Sequence, residues 1–290
     1  MAIESSRRAA PASTRALGTE PTSRRTLAQR LPAAAVLVCS VVSGLLVWHV
    51  VSTTFFSSIL FPTPAVTFAE ALAQIRTGSI FLDISASLAR IMVGFGIGSV
   101  IGIVGGLLIG YFRIVRAMLN PYLQFFRFIP PIAWVSPAMI WFGIGENSKV
   151  FIIIYGTVFA VAFNTVAGVA SVHRDKIRAA RIFGAREWQI FLWVIVPSTV
   201  SYILTGMRLA MGVSFMTVVA AEMLAAQSGL GYLILNSRLW MATDRIFVGI
   251  IALGGLGYAT DKVFDLLIKR FAWKYNPIVV RRHGGRSRLG

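Results

Sequence analysis

A chain of 290 residues that is 56% hydrophobic and only 13% charged is too apolar for an ordinary soluble domain, as its mean hydropathy of +0.74 also indicates. Its 28 Lys and Arg against 11 Asp and Glu give +17, a balance that alone fits a nucleic-acid binder or a membrane-surface protein. Nearly uncharged runs of about 20 residues decide for the membrane, and they exclude disorder or a soluble basic domain everywhere except the two ends.

Residues 1–30 are rich in Ala, Pro, Ser, Thr and Arg and read as a disordered basic head. The run LPAAAVLVCSVVSGLLVWHVV follows. A secretory signal is the competing reading, but the run extends well past Cys39 and lacks a small-residue cleavage pattern, so it reads as a retained span. Cys39 is the only cysteine, which leaves no disulfide framework and no cysteine-based metal site.

Six apolar segments can be drawn, at about 31–52, 91–111, 121–143, 149–170, 198–222 and 246–268. At 1.5 Å per residue each crosses a hydrocarbon core of roughly 30 Å. Between the first two, FPTPAVTFAEALAQIRTG predicts a turn and a short helix, and SIFLDISASLARI an interfacial stretch. In the second segment Gly94, Gly98, Gly102, Gly106 and Gly110 recur every four residues on one helix face. Such a face admits another backbone, either within the chain or in a subunit contact. Pro130, Pro131 and Pro137 should kink or break the third segment. AAQSGLGYLILNSRLWMATD, before the sixth, suggests either an interfacial or partly re-entrant element or an ordinary loop with anchoring aromatics.

The head, the 112–120 loop, residues 171–189 and residues 269–290 carry six, two, five and seven Lys or Arg, 20 of the 28. The alternate segments carry only Arg76, Arg90, Arg238 and Arg245, so the positive-inside bias predicts both termini in the cytoplasm and an even number of spans. The basic tail, 271–290, reads as a solvated anchor on anionic lipid rather than a nucleic-acid site. The six-span unit then covers 31–270.

No phosphate-binding GxxxxGK[ST] loop, HExxH zinc helix or GxSxG elbow occurs, and His49, His173 and His283 are widely separated. The ends are too short for an ATPase or a substrate-binding domain. The chain is therefore read as non-enzymatic and without a cofactor of its own. Uphill transport would draw its energy from a coupled ion or from another chain.

The segment from Val172 holds the most informative polar stretch. Ile177, Ala180, Arg181 and Gly184 fall at helical spacing, Ala179 and Phe183 form an i,i+4 pair, and Asp175 favours a helix start. A short amphipathic helix is expected, suited either to a groove on a soluble partner or to the lipid surface. Arg127, Arg208 and Glu222 interrupt apolar segments and are candidates for the translocation path or for structural polar contacts. Arg127 can also snorkel to the interface. Arg208 and Glu222 lie 14 residues apart, about 21 Å along a continuous helix, too far for a direct pair.

Arg178-Ala179-Ala180, Gly184, Val194, Val196 and Pro197 keep the intervals of the pattern EAA, three residues, G, nine residues, I-x-LP, with Arg178 in place of Glu. In this the chain resembles the inner-membrane permease subunits of binding-protein-dependent ATP-binding-cassette importers. SPAMIWFGIGENSKVFII, AEMLAAQSGLGYLI and PYLQFFRFIPPIAW extend the resemblance over about residues 65–270, to the nitrate, taurine and alkanesulfonate branch. The resemblance implies an all-α integral membrane protein of type I importer permease architecture, with six transmembrane helices and a cytoplasmic coupling helix around Arg174–Trp188. It implies a second permease copy, two cytoplasmic ATPase subunits holding ATP and Mg, an extracytoplasmic solute-binding protein and a bacterial inner-membrane location. Ala179, Ala180, Arg181, Phe183 and Gly184 become the expected ATPase-coupling residues, and the solute a small anion such as nitrate, a sulfonate or taurine. An ion-coupled secondary transporter or channel is the main competing reading, and a membrane scaffold a weaker one.

Overall fold

The structure, a computed structural model, describes residues 33–271. The basic head expected over 1–30 and the tail expected beyond Phe271 lie outside the described residues. The chain divides after Trp48 into two units. The described part of the first is the beginning of α1 (Ala33–Thr54), an uncharged helix whose apolar side chains are mostly exposed.

The described part of the second unit is built of helices joined by short turns. α2 (Pro64–Thr77) starts where the Thr63 hydroxyl accepts the Val66 amide and Pro64 takes the first turn, whose amides have no helical partner. It ends at Gly78, whose φ of +78° reverses the chain into α3. α3 (Ser79–Tyr111) is one helix of 33 residues, about 50 Å long. SIFLDISASLARI is thus no separate interfacial stretch, and the second span begins near Ser79 rather than at 91. Its charged residues lower the local hydropathy without breaking the helix, because tertiary partners satisfy them.

The 112–120 stretch is not a loop either: only Phe112 separates α3 from α4 (Arg113–Phe126). Arg116 folds back onto the carbonyls of Ile109 and Gly110, covering acceptors that the end of α3 leaves free. After α4 comes a 3₁₀ turn (Pro131–Trp134) and α5 (Val135–Phe142), and the two arms of this pair meet at 93°. The expected break at Pro130-Pro131 is therefore real. The Phe126 carbonyl accepts both the Ile129 amide at 3.0 Å and the Tyr155 hydroxyl at 2.6 Å, so the backbone at the break is covered by protein.

α6 (Glu146–Ala170) lies between α3 and α9 (Val196–Ala225) and is the centre of the bundle. The glycine row of α3 faces α6: a Cβ on Gly94, Gly98, Gly102, Gly106 or Gly110 would meet Ile153, Thr157, Val161, Thr165 or Val169 at 2.6–2.8 Å. Within this chain the row serves close helix packing. Ile91 and Phe95 of α3, Ile153 and Val161 of α6, and Ala210, Met211, Phe215 and Val218 of α9 form the main core. Thr157 and Ser214 share a hydrogen bond of 2.9 Å across α6 and α9, pairing two buried hydroxyls with each other.

α7 (Arg174–Ile182) and the four-residue α8 (Glu187–Ile190) connect α6 to α9. α10 (Leu230–Leu239) packs on α9 and α11 (Thr243–Phe271) with Leu230 fully buried. The segment left open between a re-entrant element and a loop is thus a short docked helix. Among the described residues there is no strand. Five helical segments are long and apolar enough to cross a membrane, and the bent α4–α5 pair makes six when counted as one span.

Candidate functional site

α7 is laid down by local sequence chemistry. Asp175 sits in its first turn and Arg181 in its last, each favourable to the helix dipole. Its end is a Schellman turn: Ala185 N–H donates to the Ala180 carbonyl at 3.0 Å and Gly184 N–H to the Arg181 carbonyl at 2.9 Å. Gly184 carries φ +79°, the left-handed conformation this closure requires and that other residues adopt at a cost. The spacing from Ala180 to Gly184 in the sequence pattern therefore encodes one physical object, a helix that stops and turns at a fixed place.

The inner face of α7 is anchored. Ile177, Ala180 and Ala185 pack against a cluster of Leu107 from α3, Val169 from α6, and Ile190 and Ile195 after the turn. Its far end is bare: Ile182 and Phe183 are 84% and 89% exposed. Ala179 is exposed beside them, and no residue of α7 is fully buried. Arg178, which stands where the pattern has Glu, faces Asp175 at 3.8 Å with both side chains largely in the open.

Beyond α8 the helix widens into a π turn over Phe191–Ile195, then continues as α9. Pro197 supplies a reason. It has no N–H to give to the Trp193 carbonyl, and its ring would crowd that carbonyl in a regular turn. The Val194-x-Val196-Pro197 end of the pattern is thus the point where the chain leaves α7 and α8 and enters the fifth span.

One carboxylate holds this corner together. Glu187, at the start of α8, accepts the Tyr111 hydroxyl from the end of α3 at 2.6 Å. Its other oxygen accepts Arg181 Nε of α7 at 3.1 Å and lies 3.0 Å from Nη2. Glu187 did not stand out in the sequence, although it is the only acidic residue between Asp175 and Glu222. That isolation among basic neighbours was the available signal.

The three candidate polar residues of the spans do not meet. Arg127 caps α4 and lies over the rings of Phe128 and Phe163, 4.6 and 4.8 Å from their centroids. Arg208 makes a bidentate pair with Asp261 of α11, at 2.8 and 2.9 Å, with Asp265 at 3.9 Å. Glu222 is fully buried, as its missed partner Arg90 nearly is. Arg90 reaches Glu222 at 2.7 Å, the Ser228 carbonyl at 2.7 Å and both oxygens of Glu146 at 2.6 and 2.9 Å. Ser87 and the Gly231 amide complete the shell of Glu222, and Asp83 accepts the Gly229 amide. Arg90 falls just outside the apolar run drawn from 91, so nothing in the sequence marks it as lying within a span and needing a buried partner there. Among the described residues no group of His, Cys, Asp and Glu is placed to hold a metal ion.

Comparison with known proteins agrees with this architecture. The family model described as "Binding-protein-dependent transport system inner membrane component" matches residues 98–273. A probable ABC transporter permease protein of Brucella melitensis is 38% identical over 223 residues, 77% of this chain and 90% of that protein. The taurine transport system permease protein of Escherichia coli is 38% identical over 233 residues, 78% of this chain and 84% of that protein. Among solved structures, a chain of an amino acid ABC transporter matches with a TM-score of 0.53 at 18% identity, covering 70% of this chain and 97% of that one, a likeness of fold. The secondary-transporter and channel readings are set aside by these matches. The chain belongs to the inner-membrane components of binding-protein-dependent transport systems, in the branch that includes the taurine permease, and is a multi-pass permease subunit of an ATP-binding-cassette importer.

Proposed function

We propose that this permease, paired with a second copy of itself, imports a small solute that carries an anionic group, of the sulfonate, taurine or nitrate kind, with α7 as the helix that docks on each ATPase subunit. ATP and Mg are held by those ATPases, and a binding protein delivers solute from the other side of the membrane. α7 and both termini face the cytoplasm, where the positive-inside bias puts most of the basic residues.

The observation that carries this reading is the exposed Ile182–Phe183 tip on a helix whose opposite face is anchored to three spans. A bare aromatic beside small alanines fits a pocket on a partner better than it fits water. A helix rooted in α3, α6 and the start of α9 passes a partner's movement to the spans. Alternating access then needs two arrangements of those spans whose balance ATP and the loaded binding protein shift. The taurine permease relative supports the class of solute.

Gentle solubilisation of native membranes tests the assembly. The ATPase should co-purify with the permease, and Phe183→Asp should lower its recovery about 30-fold, the effect of losing an anchor worth about 2 kcal/mol. Undiminished recovery would remove α7 from the interface. For the solute, calorimetric titration of the cognate binding protein with taurine, ethanesulfonate and nitrate should give heat with one of them. Silence with all three would overturn the sulfonate, taurine or nitrate reading of the solute.

A further inference from the structure

We propose that Glu187 is a positioning residue of the transport cycle, a carboxylate linchpin that ties movement of α7 to movement of the end of α3. The inference rests on α7 being the ATPase-docking helix, and it adds how displacement leaves that helix.

Three segments converge on one side chain. Glu187 Oε2 takes the Tyr111 hydroxyl at 2.6 Å, and Oε1 takes the Arg181 guanidinium at 3.0–3.1 Å. Arg181 is in the last turn of α7 and Tyr111 is the last residue of α3, while Glu187 opens the helical path into α9. The other α7 contacts inward are apolar. Ile177 and Ala180 lie on a cluster of aliphatic and aromatic side chains. Apolar contacts are non-directional and permit sliding, whereas hydrogen bonds to a charged group are short, directional and about twice as strong as neutral ones. Glu187 is thus the directional tie of α7 to α3, and it also holds the Arg181 charge beside α8.

The neighbouring backbone suits a moving joint. Gly184 turns in the left-handed region on one side of Glu187, and the π turn at Phe191–Ile195 lies on the other. A short rigid piece, α8, sits between two irregular points. The Tyr111 ring lies tilted against Phe191 of that π turn, 5.2 Å between centroids, so its ring and its hydroxyl meet the two ends of the piece. The mode of coupling is a lever whose middle is pinned by one carboxylate.

The test uses the full permease with its co-purified ATPase subunits in nanodiscs, with hydrogen exchange followed by mass spectrometry, with and without MgATP and vanadate. In the unmodified complex, trapping should change exchange in α7 and in the last turn of α3. In Glu187→Gln the α7 change should persist, while the α3 change falls by half or more. Tyr111→Phe, which leaves the Arg181 pair intact, should act alike and guards against misfolding of the first variant. A merely structural role would loosen both helices before ATP is added and leave their changes coupled. An α3 response equal to the unmodified complex in both variants would overturn the proposal. Failure of α7 itself to respond in the unmodified complex would instead overturn its docking role, and this inference with it.

Discussion

At one end of the bundle Arg90 and Glu222 are almost wholly enclosed and share Glu146, Ser87, Ser228 and Gly231; at the other, Arg181 and Glu187 remain 57% and 63% exposed around Tyr111. Twenty-one residues of α3, about 31 Å, separate Arg90 from Tyr111. The two clusters use the same chemistry, an Arg and a Glu drawn from different helices. Their surroundings make them different devices. The enclosed one has had its water removed and every main lone pair answered by protein, so it tolerates loss of neither partner. The open one keeps its charges in contact with water, so that loss of one partner strands no buried charge, as suits a joint that must move without unfolding.

Removal of one enclosed partner is the largest effect expected. Arg90→Ala should destabilise the permease by about 3–5 kcal/mol, because Glu222 is left charged and buried. Thermal unfolding in detergent should show it as a collapse of the folded peak. Pairing Arg90→Met with Glu222→Leu should recover part of the loss, and failure to recover would mean that the remaining hydrogen bonds, not the charges, hold this end.

The close approach of α3 and α6 comes next. Gly106→Val places a Cβ 2.6 Å from that of Thr165 and 2.8 Å from the Ala162 carbonyl, and should cost about 1–3 kcal/mol. Gly105→Ala, with nothing within 4 Å of its Cβ, should stay within about 0.5 kcal/mol. Equal losses would show that the glycine row is not the packing face.

At the open end, Gly184→Ala should cost about 1 kcal/mol through its left-handed conformation and weaken ATPase recovery with it. Phe183→Asp should leave the melting temperature within a degree while reducing that recovery, since the side chain touches little in the permease itself. A large shift in melting temperature would erase the contrast between the two ends.

Much of this was legible in the chain before folding was considered. The six apolar runs, the break at Pro130-Pro131 and the amphipathic helix at Arg174 follow from composition and spacing. The start of the second span was not. Asp83 and Arg90 make that stretch read as interfacial, and only their distant partners Gly229, Glu146 and Glu222 allow a single helix to carry them inward. Arg208 likewise reads as an isolated charge until Asp261, 53 residues on, lies against it.

What the sequence determined by itself was therefore local: where apolar runs are long enough to cross a membrane, where proline denies a hydrogen bond, where Gly184 lets a helix close and turn. Those properties act over a few residues and need no other part of the chain. Tertiary structure decided which charges are partners, which glycine face meets which helix, and that one carboxylate at residue 187 joins α3 to α7. Such pairings depend on distances between segments dozens of residues apart, set only once the bundle has packed.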